Sequence, residues 1–163
     1  MGSRNLRTVR MLIGVFVFGL VLSGLTAIPL QWEVGLLDHW FARNVYVQRY
    51  LPGLTEWIRR VNAGVQDGYG KYPFLAYGTD WLAFGHIAIA TAFIGPWRDP
   101  QRNRWVIEFG MIACALVIPW AASLGALRGI PWPWRLIDMS FGVFGMVPLL
   151  LARRIVLRAG AGP

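Results

Sequence analysis

The sequence predicts an all-α integral membrane protein. The expected architecture is four transmembrane helices in an antiparallel bundle, with two short amphipathic helices in the outer loop between spans 1 and 2. Three observations carry this expectation. The chain has 163 residues, 56% of them hydrophobic, and a positive mean hydropathy. It holds four apolar runs near the roughly 17 to 25 residues that a spanning helix needs. Its basic residues gather at the ends of those runs, where they anchor helices and set orientation. The length suits a single domain, taken here as 1–163.

The first span covers residues 11–30, Met11 to Leu30, and contains no charge. Arg4, Arg7 and Arg10 before it resemble the basic start of a signal peptide. The run is longer than the roughly 7 to 15 apolar residues usual there, so a retained span is expected. The outer segment covers residues 31–73. In it Val34, Leu37 and Phe41 repeat at helical spacing, widened by Leu36 and Trp40. Leu54, Trp57, Ile58, Val61 and Val65 form a second stripe, with Glu56, Arg59 and Arg60 off it. Pro52-Gly53 separates the two patterns, and the Gly-rich Asp67–Gly70 is expected to end the second. Such helices lie on a membrane surface or cap a bundle.

The second span covers residues 74–95 and contains Asp80 and His86. A tight inner turn follows, where Asp99 is a candidate N-cap with Pro100 at the first helical position. The third span covers residues 105–127 and contains Glu108. The outer turn from Arg128 to Arg135 is short and holds two prolines, so spans two, three and four are expected to be antiparallel neighbours. The fourth span covers residues 136–152, contains Asp138, and is the shortest. Pro119 and Pro148 lie inside spans and free carbonyls there. Small-residue stripes suit close helix approach. They are Gly19, Ser23 and Ala27; Ala88 and Ala92; Ala121, Gly125 and then Gly129; and Gly142 with Gly145.

Orientation follows from charge. Nine Lys and Arg residues fall in the N-terminal segment, the 98–104 turn and the C-terminal segment; seven fall on the other side, five of them spread through a long loop. Both termini are therefore expected in the cytoplasm, and the chain in the plasma (inner) membrane. Tyrosines and most tryptophans fall near the outer interface, with Trp97 and Trp105 at the inner one. The net charge of +8 has no basic stripe with interleaved aromatics apart from the spans, which excludes nucleic acid as partner. The expected partners are the lipid bilayer and either other membrane subunits or further copies of the chain. The single cysteine, Cys114, excludes an internal disulfide and CxxC chemistry.

Ionisable residues inside a membrane are costly and mark functional candidates. Asp80, Asp138, Arg128 and Arg135 fall at similar height near the outer surface, which suggests a polar cluster. Asp138 follows Arg135 by three residues and can pair with it along the helix. Glu108, four residues after Arg104, is a secondary candidate with a pairing role of the same kind. His86 lies about 9 Å deeper than Asp80 and roughly 120° round the helix. Its expected surroundings are near mid-membrane. Its structural reading is a hydrogen bond across the bundle, to Ser23, Thr26 or Ser140; its chemical readings are proton handling, ligand binding or ligation of a metal or haem. Haem ligation has little else behind it, because the other histidine, His39, lies in the outer segment. HExxH, Walker and GxSxG motifs and a metal-spaced Cys/His cluster are absent from the sequence.

Two function classes stay open. One is a non-enzymatic accessory, binding or proton- and small-ligand-handling bundle with an outer-leaflet polar cluster. The alternative is a membrane enzyme or redox subunit on a lipid or quinone-like substrate, with His86 as acid–base group or ligand.

Overall fold

The computed structural model describes residues 2–160. Among them every regular element is helical. Helix α1 spans Ser3–Thr26; Pro29 then restricts Ile28 and the chain turns. Helix α2 spans Leu30–Arg43 and α3 spans Val45–Tyr50, with the Asn44 side chain accepting from the Val47 N–H at 3.1 Å as the α3 cap. Helix α4 spans Pro52–Lys71 and opens on proline at its first position. A 3-10 turn, Pro73–Ala76, leads into α5, Tyr77–Ala92, and a break at Phe93 leads into α6, Ile94–Arg98. Helices α7, Arg104–Leu127, and α8, Trp132–Gly160, complete the chain.

Helices α1, α7 and α8 are long and apolar enough to cross a membrane. Helix α8 has 29 residues and continues well past the expected 136–152 span. The segment expected as span two is divided into the 3-10 turn, a 16-residue α5 and α6.

Two other element boundaries differ from expectation. Asp99 caps a turn rather than α7. Its Oδ1 accepts from the Arg102 N–H at 3.1 Å, and α7 starts only at Arg104. Asn103 closes that turn, donating from Nδ2 to the carbonyls of Gly95 and Asp99. The Gly-rich Asp67–Gly70 does not end α4. The helix carries through to Lys71, whose Nζ lies 2.8 Å from Asp67 Oδ1 one turn back. Glycine costs a helix about 1 kcal/mol without forbidding it.

The packing order is set by contacts. Helix α1 touches both α5 and α8, and α8 packs along α7. The core gathers at one end, where Val9, Ile13, Phe93, Val106, Ile107, Cys114, Leu149, Ala152 and Val156 are buried together. Phe93, in the break between α5 and α6, is 1% exposed and packs on Phe16, with ring centroids 4.8 Å apart and planes tilted by 48°. This is the basic end: Arg10 Nε donates to the Trp97 carbonyl at 2.9 Å there. The opposite halves of α1, α5, α7 and α8 bury only small residues, Gly24, Ala83, Gly125 and Gly142.

Close approach between helices rests on those glycines. A Cβ on Gly142 of α8 would run into the Cys114 carbonyl of α7. A Cβ on Gly24 of α1 would stand 2.6 Å from His86 Cβ of α5. Of the stripe expected on span one, Gly19 faces open space while Ser23 and Ala27 are half-buried, and the buried contact is made by Gly24. On span two the expected Ala88 and Ala92 are exposed, and Ala83 and Ala90 are buried instead. Several faces of each helix carry small residues, and only tertiary packing selects among them. The α7–α8 turn is closed by a Schellman arrangement: Gly129 takes φ 69°, and Ile130 N–H reaches the Gly125 carbonyl at 2.8 Å.

Helices α2 and α4 pack on each other. Helix α4 buries Leu54, Thr55 and Ile58, with Trp57, Val61 and Val65 half-buried, and leaves Glu56, Arg59 and Arg60 exposed. Helix α2 meets it through a mixed seam. Val34 is buried, Asp38 Oδ2 accepts from Asn62 Nδ2 at 2.8 Å, and Gln66 Nε2 donates to the Gln31 carbonyl at 3.0 Å. Leu37, expected within the stripe, and Leu36 and Trp40, expected to widen it, are exposed on α2 with Trp32.

Candidate functional site

Four hydroxyl side chains in the apolar helices are satisfied within their own helix. Thr26 donates to the Ser23 carbonyl at 2.9 Å, Thr91 to Ala88 at 2.6 Å, and Ser140 to Ile137 at 2.6 Å. Ser123 bonds the Pro119 carbonyl at 2.7 Å. Short hydroxyl side chains reach a carbonyl one turn back without help from a neighbouring helix.

His86 follows the same pattern, so the expected bond to Ser23, Thr26 or Ser140 is not the one made. Its Nδ1 lies 2.8 Å from the Leu82 carbonyl on its own helix. A carbonyl oxygen only accepts, so Nδ1 carries the hydrogen. That fixes the tautomer of the neutral ring and leaves the Nε2 lone pair for another group. The half-buried ring is held against α1, where Gly24 gives it room. Gly24 stands fourteen residues beyond Arg10, or about 21 Å along the helix.

Arg135 is engaged with α7. Its side chain crosses Gly125, where a Cβ would stand 2.5 Å from Cδ, and Nη1 donates to the Ala122 carbonyl at 3.1 Å. Its Nε is buried and, among the described residues, has no partner. The pairing expected between Arg135 and Asp138 is therefore not formed: the guanidinium reaches across to α7 instead of along α8. Asp138 is half-buried and, among the described residues, has no ion-pair partner. Arg128 is exposed as the C-cap of α7.

Asp80 belongs to a different surface. It is exposed in the first turn of α5, beside Tyr77, Trp81 and Phe84. No hydrogen bond or ion pair joins it to Arg128, Arg135 or Asp138. His39 is exposed on α2 and is likewise joined to none of these groups. Among the described residues no three His, Cys, Asp or Glu side chains converge as a metal site.

Glu108 forms a junction at the basic end. Its carboxylate lies 3.4 Å from Arg104 Nε and accepts from Arg153 Nε at 2.9 Å. The Arg104 contact was expected from spacing, whereas Arg153 was missed. Reflection of α7 onto α8 through the outer turn carries 108 to the neighbourhood of 153, and that reflection is the signal that could have found it.

Outside the spans, burial pushes the Glu33 carboxyl above its ordinary value of 4.5. Comparison with protein-family models, with curated proteins and with solved structures gives no match.

Proposed function

We propose that the protein is a four-span membrane bundle that handles a proton or a small polar ligand in its outer half, without catalytic machinery of its own. In this reading α1, α7 and α8 supply three spans, and the 3-10 turn, α5 and α6 together supply the fourth. Both termini face the cytoplasm, and the basic end of the bundle is the inner end. Helices α2 and α4 lie at the outer surface, with Trp32, Leu36, Leu37 and Trp40 turned to the head-group region.

The observation that carries the reading is the state of His86. Its Nδ1 hydrogen is committed to Leu82, and among the described residues its Nε2 has no partner, in the half of the bundle where the buried side chains are small. A neutral imidazole held this way accepts a proton or a hydrogen-bond donor at one defined atom. Asp138 and the buried Nε of Arg135, neither paired among the described residues, lie in the same half.

The test is flux into proteoliposomes loaded with a pH-sensitive dye. Wild-type protein is expected to pass protons or a co-supplied small solute faster than empty vesicles do. His86→Gln and Asp138→Asn are expected to lower that rate by tenfold or more. Equal rates for empty vesicles, wild type and both variants would defeat the proposal.

A further inference from the structure

We propose that Asp80, Tyr77, Trp81 and Phe84 form a recognition site for the ammonium head group of a zwitterionic lipid. The four side chains line one shallow, open cleft of about 220 Å³ on the outward flank of α5. Trp81 meets Tyr77 at 5.9 Å and 86°, and Phe84 at 5.3 Å and 84°. Rings set at right angles form a corner, and aromatic faces carry negative potential that attracts alkylammonium groups. Asp80 lines the same cleft and is exposed, with no cation within ion-pair distance among the described residues.

One carboxylate among three rings is complementary to a cation with an apolar skin. It does not suit a bare metal ion: calcium takes six to eight oxygens, and no second acidic, Cys or His group completes a set here. The depth agrees with a lipid source. With α5 and α6 taken as the fourth span proposed above, Asp80 lies seventeen residues from Trp97, at most about 26 Å at helical rise and close to the roughly 30 Å thickness of a hydrocarbon slab. Along the same stripe the polar end gives way to Phe84 and Ile87, both exposed, on which an acyl chain can lie. The site is independent of His86, which points elsewhere on α5, so lipid recognition and flux stand or fall separately.

The test uses the full chain in maltoside micelles. Phosphatidylcholine and phosphatidylglycerol with identical acyl chains are titrated in, and bound lipid is counted by native mass spectrometry. Wild type is expected to prefer phosphatidylcholine by about tenfold. Asp80→Asn and Trp81→Leu, both surface changes, are expected to bring the preference within twofold of unity. Trp132→Leu, at another exposed tryptophan, is expected to keep it. Equal retention of the two lipids by wild type, or an undiminished preference in Asp80→Asn, overturns the site. Tetramethylammonium chloride matching the lipid in potency overturns the lipid assignment in favour of a free cation.

Discussion

Gly24 of α1 and His86 of α5 are in such close contact that a methyl group on Gly24 would stand 2.6 Å from His86 Cβ and 3.3 Å from the Ala83 carbonyl. The missing side chain on one helix is what lets the imidazole sit on the other. Gly24→Val is therefore expected to destabilise the protein by about 1–3 kcal/mol, the usual cost of overpacking. Gly19→Val, five residues earlier with open space around it, is expected to cost far less. Thermal unfolding of both variants in detergent decides; equal losses would mean that the glycine contact is unimportant.

The α7–α8 seam offers a sharper comparison. A Cβ at Gly142 meets the Cys114 backbone carbonyl, and one at Gly145 stands 2.9 Å from Cys114 Sγ. Removing the sulfur with Cys114→Ala is expected to relieve part of the cost of Gly145→Ala and none of the cost of Gly142→Ala. A double-mutant cycle measures this directly, with a coupling of roughly 0.5–3 kcal/mol expected for the first pair.

The Glu108–Arg153 contact joins α7 to α8 at 2.9 Å with both side chains about one-third exposed. Partial exposure limits its value, and a coupling of about 0.5–1 kcal/mol is expected from a cycle built on Glu108→Gln and Arg153→Gln. The coupling should shrink as salt is added. Coupling that holds steady up to 1 M salt would point to the hydrogen bond, not the charges.

Glu33 makes a prediction about pH. Burial raises its folded pKa above 4.5, so the folded state holds its proton more tightly than the unfolded chain does. Stability from this group is present below 4.5 and is lost as pH rises through the folded value. Glu33→Gln should therefore be more stable than wild type at pH 7 and indistinguishable from it below pH 4. A variant less stable at pH 7 would show that the carboxylate makes a favourable contact that outweighs its desolvation.

The helical class was legible because apolar runs and their arginine borders depend on composition alone. The α4 stripe was legible too: Leu54 and Ile58 are buried as its spacing requires, with Glu56, Arg59 and Arg60 outside. What local pattern could not convey was choice between equivalent options. Gly19 and Gly24 are both small, and only the neighbour on α5 separates them. Arg135 had an acid one turn away and a free approach to the Ala122 carbonyl, and it took the latter because Gly125 opens the way. Thr26 and Ser140, which looked like bridges between helices, bond carbonyls one turn back on their own helices, since that partner is always within reach. For the candidate site, the sequence supplied the residues but not their grouping, because the rotation of α5 about its axis leaves no trace in a single sequence.

The confinement of the packed core to the basic end makes α5 a lever. Its fulcrum is Phe93, wedged between α1, α7 and α8, and Tyr77 lies sixteen residues away, about 24 Å. Any rotation about the fulcrum is magnified along that arm, so that 5° at Phe93 moves Tyr77 by about 2 Å. A small change of packing at the basic end is therefore felt most at the Tyr77 end, and Gly24, set against His86 and Ala83, is where α1 meets that arm.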